Sequence, residues 1–384
     1  MFDALIQYWH LTRDAQYNSI VSQSIQFQQG ANGDFLPANQ SKAEGNDDES
    51  TWALAAMSAA GPQFPDPQGG TAWLTLAENV FNAQAARWDT QSCGGGLRWQ
   101  LYVFNNGCNY KNTIANGNFF QLAARPARFS GNSTYSDWAS KAYNWTTTVG
   151  FIDADGNVDE GASTTTNCAP VDQLQFSNSA GTYIAGAAHM YNVSSGGAQW
   201  KSALDDLLNR TLDVFFPDGV ASEISCEETR TCSAEFAPYK GLLGHWLADT
   251  TQVAPYTSQN IMAKLTSSAE AAAKACNGDV CPEVWNGTTS GTVASGLGQQ
   301  LSALSFVQAL LINDVAAPEG GSNATSTNAG SASVGAVVRV ETVRMGLLVA
   351  GLGLLHGCVG YVCIGPCMRY FLLYDISREY TEMQ

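Results

Sequence analysis

Charged residues are scarce in this sequence, and basic residues are scarcer still. Only 14% of the 384 residues are charged, and 34 acidic residues outnumber 18 basic ones, for a formal net charge of −16. Because an acidic surface repels phosphate backbones, this composition argues against a nucleic-acid partner. Gly, Ser, Thr and Asn supply the polar surface instead, which is typical of secreted proteins that handle sugars.

Metal-ligand patterns are also missing. The four histidines show no metal spacing, and no C-x-x-C pair occurs with a second such pair or with clustered histidines. We therefore expect neither a metal nor a cofactor.

The first residues do not form a signal peptide, because Met1 to Ile6 has no basic region and no small-residue cleavage site. Residues 1–10 instead have the pattern of an amphipathic helix, so we expect that the natural N-terminus is missing from this chain. Secretion is nevertheless indicated by ten cysteines and by seven N-x-S/T sites, at Asn39, Asn132, Asn144, Asn192, Asn209, Asn286 and Asn323.

The cysteine spacing predicts local disulfides rather than metal sites. Three pairs of cysteines close loops short enough for disulfide geometry: Cys93–Cys108, Cys226–Cys232 and Cys276–Cys281. Cys168 is left without a predicted partner in this chain.

Strand-like alternation is rare, and helical periodicity dominates residues 1–315. Ten or more helices in one domain form either a solenoid or a closed α/α toroid, and no 34- or 40-residue period supports a repeat array. Apolar helical stretches after residue 100 lie near 112–129, 135–149, 174–191, 200–216, 239–250, 258–275 and 299–311.

The C-terminal region has a different composition. Residues 316–344 form a predicted flexible linker rich in Gly, Ser, Asn and Thr, and residues 345–364 form an uncharged segment long enough to cross a bilayer. A polar tail follows at 365–384. The pattern is compatible with a GPI-attachment signal, although such signals normally end in the apolar run, and a single transmembrane helix is the alternative.

Three acidic residues open a predicted helix in the segment Gly45-Asn46-Asp47-Asp48-Glu49, with Asn46 as its predicted N-cap. These acids could simply favour the helix dipole. They could also be a glycosidase pair, in which one carboxylate attacks the sugar and one carboxylic acid protonates the leaving oxygen. The helix terminus lowers both pKa values while the neighbouring charge raises one, and the sequence does not decide which effect wins.

Asn46-Asp47-Asp48 with Trp52 resembles the double-aspartate motif of glycoside hydrolase family 76. The resemblance continues in order along residues 1–313, through segments 93–100, 110–117, 151–158, 172–175, 186–192 and 300–304.

This resemblance implies an all-α (α/α)6 toroid and a retaining mechanism, with Asp47 as nucleophile and Asp48 as acid/base. It implies a mannan endo-1,6-α-mannosidase or transglycosylase of fungal cell-wall biogenesis, attached to the outer face of the plasma membrane or the wall. Its substrate would be a mannose-containing glycan such as mannan or a GPI core, with β-glucan as a possible acceptor. Substrate-binding residues are expected among Asn46, Arg98, Trp99, Lys111, Asn112, Asn116, Asp172 and Gln175.

The sequence departs from the family pattern in four places. The segment Ser233 to Lys240 replaces the usual residues after Cys232, His245 replaces a common Arg, Asn178 to Ala180 lacks a usual Tyr-Asn, and Gln299 stands where an acid is common. These changes concern glycan-binding loops rather than the acidic pair. They leave open an alternative function, a catalytically weakened glycan-binding protein on the same fold.

Overall fold

The computed structural model describes residues 1–62, 64–287 and 296–318. In this part of the chain there are eleven α-helices and one two-stranded sheet. None of these helices is both long and apolar enough to cross a membrane. The predicted apolar segment at 345–364, the tail at 365–384 and the linker beyond residue 318 lie outside the described residues.

Six helices form a closed inner ring. They are α1 (Phe2–Thr12), α3 (Asn46–Ala60), α5 (Thr113–Ser130), α7 (Ser177–Val193), α9 (Tyr239–Val253) and α11 (Leu297–Ala309). Each packs against the next, and α11 packs against α1. Between them the chain forms an outer layer of α2 (Asn18–Phe27), α4 (Trp73–Ala86), α6 (Ser133–Val149), α8 (Ala198–Val214) and α10 (Ser258–Ala275). This arrangement confirms the predicted all-α toroid.

The two layers differ in residue pattern because they differ in burial. Helix α7 is buried along almost its whole length, and its run of Ala and Gly leaves room for neighbours on every side. A Cβ on Gly186 would lie 2.4 Å from the ring of Phe120, and one on Gly117 would lie 2.5 Å from Thr182, so glycines permit the close approach of α5 and α7. Outer helix α8 buries only one apolar stripe.

The inner helices are parallel, because an outer helix returns the chain between each consecutive pair. Residues from the first turns of α1, α3, α5, α7 and α9 accordingly line one common cavity. At this end of the toroid, β1 (Tyr110–Asn112) pairs antiparallel with β2 (Gly161–Ser163), directly before α5. The small sheet thus brings residues near 160 beside the start of α5.

Disulfides Cys226–Cys232 and Cys276–Cys281 are confirmed, but the predicted Cys93–Cys108 pair is wrong. Cys93 bonds Cys168 instead, with a Cα–Cα distance of 5.7 Å, and Cys108 is a buried free thiol. The β1–β2 pairing brings the loop that contains Cys168 to Cys93, whose backbone N–H also donates to Asn167 Oδ1 at 3.1 Å. Tertiary pairing therefore overrides closeness in sequence.

Candidate active site

A cavity of about 310 Å³ opens at the end of the toroid where the inner helices begin. Helix α3 lines the cavity with Asp47, Asp48 and Thr51. The other inner helices contribute further lining residues, among them Tyr239 of α9. Asn118 and Asn178 add amide groups that can hydrogen-bond to hydroxyls. Small-molecule sites are typically concave in this way, with a few polar groups among apolar ones.

The acidic pair lies in the first turn of α3. Gly45, not the predicted Asn46, precedes the helix, and its backbone N–H donates to Asp48 Oδ2 at 2.7 Å. Asn46 is instead the first helical residue, and its buried side chain donates to the carbonyl oxygen of Arg98 at 2.8 Å. These contacts fix the start of α3 against the loop before β1, so the two aspartates project from a rigid element.

The two oxygens of Asp47 have different environments. Oδ2 accepts a hydrogen bond from Trp99 Nε1 at 3.0 Å. Oδ1 is buried and has no hydrogen-bond partner among the described residues. The hydrogen bond from Trp99 thus fixes the orientation of the Asp47 carboxylate beside the cavity that Asp47 lines.

Burial raises the pKa of both Asp47 and Asp48, since the protein surrounds these carboxyls on most sides. The charge of Asp48 adds to the effect on Asp47, whose pKa reaches about 7, even though the Trp99 hydrogen bond acts in the opposite direction. Both carboxyls therefore bind a proton more readily than an exposed aspartate does.

An open groove of about 480 Å³ lies on the other side of Trp99. It is lined by Trp99, Tyr110, Glu160 and Asp172, among others. Burial, with the charges of Asp172 and Asp47, raises the pKa of Glu160 to about 8, and Glu160 Oε2 is buried without a partner among the described residues. Glu160 is thus a neutral hydrogen-bond donor at pH 7, within electrostatic range of Asp47.

Of the other sequence-predicted substrate residues, Trp99 and Asp172 line the groove. Gln175 lies nearby and donates to Asn157 Oδ1 at 3.0 Å. Arg98 is committed to an ion pair with Asp89 at 2.9 Å.

The remaining predicted residues brace the loop before α5. Lys111 is fully buried, and its Nζ donates to the carbonyl oxygens of Ser92 at 2.8 Å and Gly95 at 2.5 Å. The Asn112 side chain caps α5. The side-chain oxygen of Asn116 accepts a hydrogen bond from the Leu97 N–H at 2.7 Å, and its Nδ2 donates to the Leu97 carbonyl oxygen at 3.0 Å. None of the three lines the cavity, so a direct role in substrate binding stays a prediction for them.

Sequence reasoning did not name Asn118 or Glu160. It flagged Asn178, Glu235 and Tyr239 only as parts of glycan-binding loops that depart from the family pattern. A usable signal existed for the two asparagines. Each is a polar residue in the first turns of a helix that is otherwise rich in Ala, Gly and Phe, and such a residue needs a polar neighbour or a cavity. No comparable local signal marks Glu160.

Comparisons with known proteins agree with this geometry. The family model for glycosyl hydrolase family 76 matches residues 1–322. A putative mannan endo-1,6-alpha-mannosidase of Schizosaccharomyces pombe is 41% identical, over 86% of this chain and 76% of its own length. A mannan endo-1,6-alpha-mannosidase of Saccharomyces cerevisiae is 38% identical, over 96% of this chain and 83% of its own length.

Among solved structures, Dfg5 from Chaetomium thermophilum in complex with glucosamine superposes with a TM-score of 0.76 at 38% identity, covering 83% of this chain and 80% of that one. A family match over most of the chain and relatives this similar are sufficient for an assignment. The chain is a member of glycosyl hydrolase family 76, a family of glycosidases.

Proposed function

We propose that this protein is a retaining endo-α-1,6-mannosidase or transglycosylase, with Asp47 as nucleophile and Asp48 as acid/base. The observation that carries the proposal is that Asp47, held by Trp99 Nε1, and Asp48, held by the Gly45 N–H, line one cavity from the first turn of α3. The names of the relatives support α-1,6-linked mannan as the substrate class.

The chemistry follows from the two carboxyl groups. Asp48 gives its proton to the glycosidic oxygen while the Asp47 carboxylate attacks the anomeric carbon, so the leaving glycan departs neutral and a glycosyl-Asp47 ester remains. Asp48, now a carboxylate, then takes a proton from an incoming hydroxyl that displaces Asp47. Water as that acceptor gives hydrolysis, and a sugar hydroxyl gives transglycosylation.

The same proposal includes the partners and the location expected from the sequence. A β-glucan chain is the proposed acceptor, and the C-terminal apolar segment at 345–364 is the proposed means of attachment at the cell surface. The seven N-x-S/T sites and the three disulfides fit the secretory route. Release of the protein from intact cells by a phospholipase that cuts GPI anchors distinguishes such an anchor from a transmembrane helix.

Two conservative variants test the catalytic assignment. Asp47→Asn should abolish glycosyl-enzyme formation, because an amide is a poor nucleophile. Asp48→Asn should still be glycosylated by an α-mannoside with a good leaving group, so the intermediate should accumulate and be visible by mass spectrometry. Azide should then partly restore turnover and yield an α-mannosyl azide.

Asp137→Asn, an exposed aspartate on outer helix α6, is the matched control and should act like the parent. Parent-like rates in both Asp47→Asn and Asp48→Asn would remove the pair from the mechanism. A parent protein that binds mannan but releases no product would instead favour the catalytically weakened glycan-binding protein.

A further inference from the structure

The loop of residues 101–108 presents an unusual apolar tip. Val103 is 91% exposed and Phe104 65% exposed, and Tyr102 is also exposed. The rings of Tyr102 and Phe104 lie nearly parallel, with centroids 5.2 Å apart and an interplanar angle of 11°. Exposing three large apolar side chains together is unfavourable in water, which indicates that this surface has an occupant.

The loop is firmly braced, so its tip is presented by the fold. Asn105 Nδ2 donates to the carbonyl oxygen of Lys42 at 2.7 Å and to Gln100 Oε1 at 3.0 Å. Arg98 Nη1 donates to the carbonyl oxygen of Cys108 at 2.9 Å. These bonds anchor the centre of the loop and its C-terminal end.

The loop also adjoins the active site. It follows Trp99 directly, and it returns so closely that a Cβ on Gly107 would lie 2.3 Å from the Trp99 ring. Trp99 itself contacts Asp47 and lines the groove with Glu160 and Asp172. A chain leaving the groove past Trp99 would therefore meet this loop.

We propose that Tyr102 and Phe104 form a remote subsite that stacks on the sugar rings of a glycan chain whose reacting end lies in the active site. The inference rests on the proposed function. The catalytic cavity of about 310 Å³ is at the small end for ligand sites, so most of a long glycan must lie outside it. Parallel aromatic rings offer a flat apolar face to the C–H face of a pyranose, and the neighbouring exposed Asn106 and Asn109 can bond hydroxyls.

The loop chemistry favours a glycan over a lipid surface. Segments that bind membrane surfaces usually combine apolar residues with Lys or Arg that attract anionic headgroups. Residues 101–109 contain no basic residue, and the whole chain has a net charge of −16. The loop thus has the apolar face and the amides that a neutral sugar chain needs, and it lacks the basic residues that bind anionic lipid headgroups.

The double variant Tyr102→Ala/Phe104→Ala tests the proposal with linear α-1,6-mannan and α-1,6-mannotriose as substrates. For mannan we expect KM to rise about tenfold, the loss that two aromatic contacts of ordinary strength produce, with kcat unchanged. Because the subsite is proposed to bind the part of a long chain that is remote from the reacting end, KM for mannotriose should stay at the parent value. The ring-preserving swap Tyr102→Phe/Phe104→Tyr should behave like the parent on both.

Tyr256→Ala is the matched control, because Tyr256 is a comparably exposed aromatic that follows the C-terminal end of α9, at the opposite end of the toroid. Equal KM for mannan in the parent and the double variant would overturn the proposal, as would an equal loss on mannotriose. Loss of binding to phosphatidylcholine vesicles with mannan kinetics unchanged would also overturn it, in favour of a membrane.

Failure of the proposed function is separable from failure of the subsite. If the parent cleaves neither substrate, its retardation in gels that contain mannan or β-glucan still reports chain binding. Retardation of the parent that disappears in the double alanine variant, and persists in the ring-preserving swap, supports the subsite. Equal migration of the parent and the double alanine variant overturns it.

Discussion

Replacing Trp99 by Phe tests whether one hydrogen bond sets the ionisation of Asp47, the proposed nucleophile. The change keeps an aromatic ring but removes the Nε1–H that donates to Asp47 Oδ2 at 3.0 Å. This bond favours the ionised form of Asp47, so its loss should raise a pKa that burial already places at about 7. A hydrogen bond to a charged group is worth about 1.5–3 kcal/mol, and one pKa unit corresponds to about 1.36 kcal/mol. We therefore expect a rise of about one to two units.

The assay is the pH profile of kcat/KM, which reports the free enzyme. Asp47 must be ionised to attack, so the ascending limb should move to higher pH by the same one to two units. At pH values below the parent's limb, kcat/KM should fall by about ten- to hundredfold.

Trp52→Phe is the matched control, because Trp52 lines the cavity together with Asp47 and stacks on Phe2 and Phe35, with ring centroids 5.6 and 6.0 Å away. This control should leave the ascending limb in place. If the ascending limb has the same midpoint in both variants, the hydrogen bond from Trp99 does not set the pKa of Asp47. The argument that this bond orients Asp47 then fails as well.

Three further outcomes can be checked directly. Lys111→Met should lower the melting temperature sharply, since it leaves buried carbonyls without their donor, but any folded protein should keep its KM for mannan. Because the raised pKa of Glu160 makes the folded state bind more protons than the unfolded state, stability should fall as pH rises from about 4 to about 8. Thermal melts across that range should show a shallower fall in Glu160→Gln. Alkylation of denatured, unreduced protein should label Cys108 but neither Cys93 nor Cys168, and losing the disulfide in Cys93→Ala/Cys168→Ala should cost about 2–4 kcal/mol by denaturant titration.

Helix positions could be predicted well, because helical periodicity is local. The stretch expected at 258–275 is helix α10 with the same bounds, and the stretch expected at 112–129 is α5 shifted by one residue. The position of Asp47 and Asp48 at a helix start was also readable from the sequence. In each case the signal lay within a few residues of the feature that it predicted.

Features that depend on distant pairing could not be predicted in this way. The β1–β2 ladder aligns Lys111 with Ala162. A separate bridge between Gly161 and Asp172 brings Glu160 beside Asp172, and Glu160 lies within electrostatic range of Asp47. Three-residue strands carry no recognisable alternation. The same ladder decides that Cys93 bonds a cysteine 75 residues away rather than one 15 residues away.

The fold also decides which of two opposing effects, the helix termini or burial, sets the pKa values of Asp47 and Asp48. Five parallel inner helices direct their N-termini toward the cavity, and each N-terminus favours a negative charge. Burial nevertheless prevails, since the pKa of Asp47 rises to about 7 and that of Asp48 also rises. The helix termini favour the ionised forms of the two carboxyls, while burial favours their protonated forms. A retaining glycosidase needs both conditions, because a pair with both groups ionised would have no acid and a pair with both protonated would have no nucleophile.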